Sequence, residues 1–102
     1  MVVAILGHGT VGGGVYELLK NRSDITVKYV LDRSPIAELG AVSVTDFSTI
    51  LNDGEVDTVV EVMGGLHPAY EYVAAALRAG KNVVSSNKYL MCRYYDELNA
   101  LA

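Results

Sequence analysis

The 102-residue chain has room for one small domain, and half of its residues are apolar while a fifth are charged, as in folded globular proteins. A net charge of −4 leaves no basic surface for a nucleic-acid backbone, and no apolar run approaches the roughly 18 residues of a membrane span. The single cysteine, Cys92, excludes an internal disulfide, and the two histidines lack metal-ligand spacing. We therefore expect a cytoplasmic protein that binds neither nucleic acid nor membrane.

Apolar patterning predicts strands that alternate with helices along the chain. The strands are expected at Met1 to Leu6, Ile25 to Leu31, Val56 to Met63 and Asn82 to Ser85. The helices are expected from Val11 to near Asn21, from an N-cap at Asp46 through Asn52, from Pro68 to Ala79 and from Tyr89 to Leu101. The first helix has an apolar stripe of Val11, Val15, Leu18 and Leu19. His67, just before Pro68, is a candidate cap of the third helix.

This alternation is typical of parallel strands joined by right-handed crossovers. We predict an α/β fold, a Rossmann-type doubly wound parallel sheet, with about four strands in the order 3-2-1-4. Such a sheet normally continues beyond its fourth strand. Residues 1–102 are therefore expected to form one unit that is a truncated part of such a sheet.

A glycine-rich turn joins the first strand to the first helix, from Gly7 to Gly12. Gly7 is expected to make the tight turn, Gly9 to let the backbone approach a pyrophosphate, and Gly12 to let the helix pack closely on the strand. The N–H groups at the helix start would meet the negative charge. The residues predicted to bind a nicotinamide dinucleotide are Gly7, Gly9, Thr10, Val11 and Gly12. A purely structural strand-to-helix turn is the alternative.

Asp32 and Arg33 close the second strand and bear on the choice of dinucleotide. Asp32 follows Gly12 by about twenty residues, where a carboxylate would hydrogen-bond the ribose hydroxyls of NAD. A guanidinium at Arg33 would instead accommodate the 2′-phosphate of NADP. The choice between NAD and NADP stays open, and a solvated Asp32–Arg33 pair is the alternative for both residues.

Two further segments follow strands at the carboxyl edge of the sheet, where ligands bind in this class of fold. Met63, Gly64 and Gly65 follow the third strand, and the glycines would let the backbone lie against a dinucleotide. A plain turn, which would use the same residues, is the alternative for this segment. Lys88 follows the fourth strand, where its charge would lie near the nicotinamide or a substrate oxygen, although a lysine before a helix is more often simply solvated.

Three segments together resemble the N-terminal nucleotide-binding region of homoserine dehydrogenases. Gly7 to Val15 is similar to that family's G-x-G-T-V-G-x-G-V, Val59 to Ala69 is similar to V-V-E-x-M-G-G-x-x-P-A, and Ala76 to Lys88 is similar to A-L-x-A-G-K-x-V-V-T-A-N-K. Ser85-Ser86 stands where the family has Thr-Ala. The resemblance implies that the Ser85 hydroxyl hydrogen-bonds the cofactor and that Lys88, as an auxiliary catalytic residue, lies near cofactor and substrate.

The resemblance also implies a reaction, in which the parent enzyme interconverts L-homoserine and L-aspartate 4-semialdehyde with NAD or NADP, a step towards threonine and methionine. In that family a following domain holds the substrate and the main catalytic residues and contributes to dimerisation. We therefore expect this chain alone to lack turnover, and we regard a homodimer as one expected assembly. The alternatives are a stand-alone dinucleotide-binding or regulatory module and another amino-acid dehydrogenase, such as aspartate dehydrogenase.

Overall fold

The computed structural model describes residues 1–65, 67–85 and 100–101, without the side chains of Thr10 and Val11, and contains a parallel sheet packed against helices. The strands are β1 (Val2–Leu6), β2 (Thr26–Leu31), β3 (Ser43–Val44), β4 (Thr58–Glu61) and β5 (Asn82–Ser85). The helices are α1 (Thr10–Leu19), α2 (Phe47–Leu51) and α3 (Ala69–Arg78), with a 3₁₀ segment at Ala37–Val42. The strand order is β3-β2-β1-β4-β5. No helix among these residues is both long and apolar enough to cross a membrane.

The predicted α/β class and doubly wound parallel sheet are confirmed, and the order 3-2-1-4 is found within a sheet of five strands rather than about four, in which the predicted third and fourth strands are β4 and β5. The strand missed by the prediction is β3, which pairs with Val30 and Leu31 of β2. Two residues are too few to show a periodicity that a sequence pattern could reveal. The predicted third strand, Val56 to Met63, is consequently β4, and it pairs with β1 instead of lying beyond β2.

The central strand β1 contributes side chains to the cores on both faces of the sheet. Ala4 and Leu6 pack on one face with residues of α2 and α3, whereas Val3 and Ile5 pack on the other face with residues of α1. Coverage of both faces explains why this strand is a continuous apolar run rather than an alternating one. A ligand can therefore approach this sheet at the ends of its strands.

The apolar stripe predicted on the first helix is confirmed at two positions and wrong at a third. Val15 and Leu19 pack on the core beneath α1, but the Leu18 side chain is 76% exposed. Consecutive residues lie roughly 100° apart around an α-helix, and here Leu19 is on the side of α1 that packs on the sheet while Leu18 is on the side that faces solvent. The Val11 side chain lies outside the described residues.

The chemical signals at the ends of the later helices agree well with the structure. Asp46 is the N-cap of α2, and its Oδ1 accepts the Ser48 N–H at 2.9 Å. Pro68 occupies the N-cap of α3, and Gly80 follows the end of that helix with a φ of +81°, a left-handed conformation that favours glycine. The predicted last helix, Tyr89 to Leu101, lies outside the described residues except at 100–101.

A polar network joins the loops at the amino edge of the sheet, opposite the predicted ligand site. The buried Lys81 donates from Nζ to the backbone oxygens of Asp53 at 3.0 Å and Val56 at 2.7 Å. The Asp53 carboxylate accepts from Lys28 and from the Tyr29 hydroxyl, each at 2.6 Å. These hydrogen bonds, with that from Lys28 the strongest, lower the pKa of Asp53 to about 2. The amino edge is thus occupied by contacts within the fold.

Candidate functional site

The turn between β1 and α1 contains three glycines that differ in what the fold requires of them. Gly7 has a φ of +105°, and a Cβ there would lie 3.2 Å from the backbone oxygen of Val62. A Cβ on Gly12 would lie 2.2 Å from the backbone oxygen of Gly7, so the close start of α1 against β1 requires glycine. Gly9 has an ordinary φ of −59°, and no described atom lies within 4 Å of a Cβ built there. The described fold does not require glycine at position 9.

The first turn of α1 starts at this open space. Gly9 is its N-cap, and the Gly9 oxygen accepts the N–H of Gly13 at 2.8 Å. No described side chain caps the preceding N–H groups, and the first turn has no acidic residue, so the positive end of the helix dipole can accept an anion. Thr10 and Val11 contribute backbone to this turn. Their side chains are outside the description, and their cofactor contacts stay predictions.

Asp32 and Arg33 lie at the carboxyl end of β2, on the same edge as the glycine turn. The half-buried Asp32 accepts the backbone N–H of Arg33 on Oδ1 at 2.7 Å, and its own N–H donates to the Val44 oxygen at 3.1 Å. The Arg33 side chain is exposed. No ion pair joins the two side chains among the described residues. The carboxylate is therefore oriented by the backbone rather than by a surface salt bridge.

A cleft of about 290 Å³ separates the end of β2 from the loop that follows β4. It brings together four of the predicted residues, namely Asp32, Arg33, Met63 and Gly64. The rest of its lining is Leu31, Thr45, His67, Pro68 and Tyr72. The Tyr72 ring is stacked on Phe47 with their centroids 4.3 Å apart, which fixes one wall. The lining combines apolar side chains and an aromatic ring with the charged groups of Asp32 and Arg33, a mixture that can take a nucleoside.

His67 lines this cleft and has a different role from the one predicted. It is not the N-cap of α3, because Pro68 occupies that position. Its Nδ1 lies 2.6 Å from Oε1 of Glu71, and the hydrogen bond from this imidazole lowers the pKa of the Glu71 carboxyl. The i, i+4 spacing of His67 and Glu71 was the sequence signal for this pair.

Glu61 is a further residue of this edge that sequence reasoning did not select. Its side chain is fully buried at the end of β4. Oε2 accepts the Met63 N–H at 2.8 Å, and Oε1 accepts the Ser85 hydroxyl at 2.6 Å. A glutamate inside an apolar strand could have identified it, because a buried carboxylate must be hydrogen-bonded.

The remaining predicted residues follow β4 and β5. Gly64 and Gly65 have φ values of +78° and +73°, so the backbone conformation favours glycine at both positions. Ser85 ends β5 and has Glu61 as a partner within the protein. Lys88 lies outside the described residues, and its role stays a prediction. Across the described ranges, no cluster of three or more His, Cys, Asp or Glu side chains could hold a metal ion.

Comparisons with known proteins show which chains this one is similar to. The family model for "Homoserine dehydrogenase, NAD binding domain" matches residues 7–102. The chain is 37% identical to homoserine dehydrogenase of Bacillus subtilis, with 98% of this chain and 26% of that protein aligned. The chain therefore spans about a quarter of the length of the curated relatives that it matches.

Solved structures agree with this match. A homoserine dehydrogenase from Thiobacillus denitrificans superposes with a TM-score of 0.89 at 34% identity, covering 100% of this chain and 27% of that one. GenD2 from gentamicin A biosynthesis, solved in complex with NAD, superposes with a TM-score of 0.84 at 27% identity, covering 100% of this chain and 31% of that one. Both likenesses extend over the whole chain.

Proposed function

The chain belongs to the family of homoserine dehydrogenase NAD-binding domains, and we propose that it is the cofactor-binding part of an NAD(P)-dependent homoserine dehydrogenase. The observation that carries this proposal is the open space at Gly9, beside an α1 start that no described side chain caps. A pyrophosphate needs close backbone approach and free N–H donors, and both are present there.

The proposed placement of the dinucleotide follows the carboxyl edge of the sheet. The pyrophosphate lies on the turn from Gly7 to Gly12, and the adenosine enters the cleft beside Asp32. The backbone of Met63, Gly64 and Gly65 faces the part of the cofactor beyond the pyrophosphate. Main-chain atoms and one carboxylate would thus make most of the polar contacts.

The proposed reaction belongs to the longer enzyme, in which L-homoserine and NAD(P)⁺ are interconverted with L-aspartate 4-semialdehyde and NAD(P)H. The bound nicotinamide supplies the hydride acceptor, and Lys88 is proposed to place a positive charge near the substrate oxygen. The relatives with this activity are roughly four times as long. We therefore expect this chain alone to bind the dinucleotide without oxidising homoserine.

A fluorescence titration of the purified chain with NADH tests this proposal. We expect saturable binding that ADP-ribose competes away, and no homoserine-dependent reduction of NAD or NADP. Absence of saturable NADH binding would refute the cofactor assignment. Measured turnover would instead refute the expectation that the chain alone is inactive.

Asp32 is proposed to make NAD the preferred cofactor, because a fixed carboxylate accepts ribose hydroxyls and repels a 2′-phosphate. Asp32→Ala should weaken NADH binding roughly tenfold or more, because one or two charge-assisted hydrogen bonds are lost. NADPH binding should be unchanged or tighter. Arg33→Ala is the matched variant and should selectively weaken NADPH binding. The ratio of the two dissociation constants in each variant is the measurement, and a ratio that Asp32→Ala leaves unchanged would contradict the assignment.

A further inference from the structure

Glu61 lies where three segments of the candidate site leave the sheet. It is the register partner of Leu6, the last residue of β1 before Gly7, and on its other side it is the partner of Ser85 at the end of β5. Directly after Glu61, the Val62 N–H makes one more bond to the Leu6 oxygen, at 3.0 Å, before the chain enters the loop with Met63. Glu61 is thus the last residue of β4 that has a register partner on both sides, in β1 and in β5.

The Glu61 carboxylate continues this pairing beyond the end of the strand. One oxygen accepts the Met63 N–H at 2.8 Å, and the other accepts the Ser85 hydroxyl at 2.6 Å. A side chain therefore supplies the acceptor for a backbone donor that has left the sheet ladder. The two bonds hold the start of the Met63 loop against the end of β5.

Full burial of a carboxylate is costly, and an apolar side chain in the same strand would avoid that cost. Glu61 is useful where Met63 and Gly64 must keep a defined position, since both line the cleft with Asp32. On this basis, and resting on the proposed function of that cleft, we propose that Glu61 is a positioning residue for dinucleotide binding. It acts through Met63 and Ser85 and does not itself touch the cofactor.

This positioning role requires hydrogen bonds rather than a charge, so variants that keep or lose the hydrogen bonds can test the proposal. In Glu61→Gln the amide oxygen can still accept the Met63 N–H, and the amide NH₂ can donate to the Ser85 hydroxyl, which accepts as readily as it donates. In Glu61→Leu the size is similar but both bonds are lost. Leucine should therefore disturb the loop, and glutamine should preserve it.

Lys81, which bonds to the loop before the amino end of β4, provides a matched control. It is also buried, at 8% exposure, and also makes two hydrogen bonds to loop groups, the backbone oxygens of Asp53 and Val56. Lys81→Met removes both bonds but lies at the amino edge, away from the cleft. A loss of stability without a change at the site is expected for this variant.

The experiment measures NADH affinity in the 102-residue chain at a temperature where circular dichroism shows each variant to be folded, alongside urea unfolding. We expect Glu61→Leu to weaken NADH binding roughly tenfold or more, and Glu61→Gln to keep an NADH affinity within about threefold of wild type. Lys81→Met should lose stability while its NADH affinity stays within about twofold of wild type. An unchanged NADH affinity in Glu61→Leu, or an equal loss in Lys81→Met, would overturn the proposal. Absence of NADH binding by the wild-type chain would instead refute the proposed function.

Hydrogen exchange in the wild-type chain supplies a second test that does not depend on a variant that folds. The Met63 amide should be protected in the free chain and more strongly protected with NADH bound. Exchange of Met63 as fast as that of an exposed loop amide, with and without NADH, would contradict the assignment.

Discussion

Gly12→Ala is expected to destabilise the chain by about 3 kcal/mol, through overpacking against backbone that cannot move aside easily. The added Cβ would lie 2.2 Å from the oxygen and 2.7 Å from the carbonyl carbon of Gly7. To relieve this contact α1 must shift away from β1, which would disrupt the packing of Val15 and Leu19 on the sheet. Urea unfolding followed by circular dichroism measures the loss.

Gly14→Ala is the control for this prediction, because it places the same methyl group in the same helix. No described atom lies within 4 Å of a Cβ built on Gly14. Since alanine favours helix over glycine by up to about 1 kcal/mol, this variant should be as stable as wild type or more stable. Equal stability of the two variants would show that α1 does not approach β1 as described.

Gly9→Val is expected to weaken NADH binding by about 100-fold or more while leaving the chain folded. The side chain would occupy the space where a pyrophosphate must approach the first turn of α1, and would exclude several charge-assisted hydrogen bonds worth roughly 1.5–3 kcal/mol each. The φ of −59° at Gly9 is negative, as L residues prefer, and no described atom lies within 4 Å of a Cβ built there. Loss of a favourable N-cap residue should cost about 1 kcal/mol at most.

Gly54→Val provides the matched control for that substitution. Gly54 is exposed, precedes β4 at the amino edge, and likewise has no described atom within 4 Å of a built Cβ. NADH titrations of both variants, with urea unfolding of each, separate blocked binding from lost stability. Wild-type affinity in Gly9→Val would contradict the role of the glycine turn.

Much of the fold could be predicted because its signals are local. The Asp46 cap, the glycine after α3 and the apolar run of β1 each depend on neighbours within a few residues. The two-residue strand β3 could not be predicted, because its pairing with β2 is set by the loop between them rather than by its own composition. Missing it placed the next predicted strand beside β2, whereas that strand pairs with β1 on its other side.

The candidate site could be predicted in part, since the carboxyl ends of parallel strands meet at one edge. That rule brought Asp32, Met63 and Gly64 together before any contact was known. Glu61 escaped prediction because its partner Ser85 is 24 residues away, and only the register of β4 with β5 places them opposite each other. The place of His67 in the cleft likewise depends on how the loop after β4 folds back towards β2.

Backbone NMR of the labelled chain, titrated with NAD, tests most directly whether a dinucleotide lies along this edge. This placement predicts saturating shifts of the amide signals of Gly9, Gly12, Asp32 and Gly64, with those of Gly54 and Lys81 unchanged. Shifts centred on Gly54 and Lys81, or no saturating shifts along the edge from Gly9 to Asp32, would contradict it.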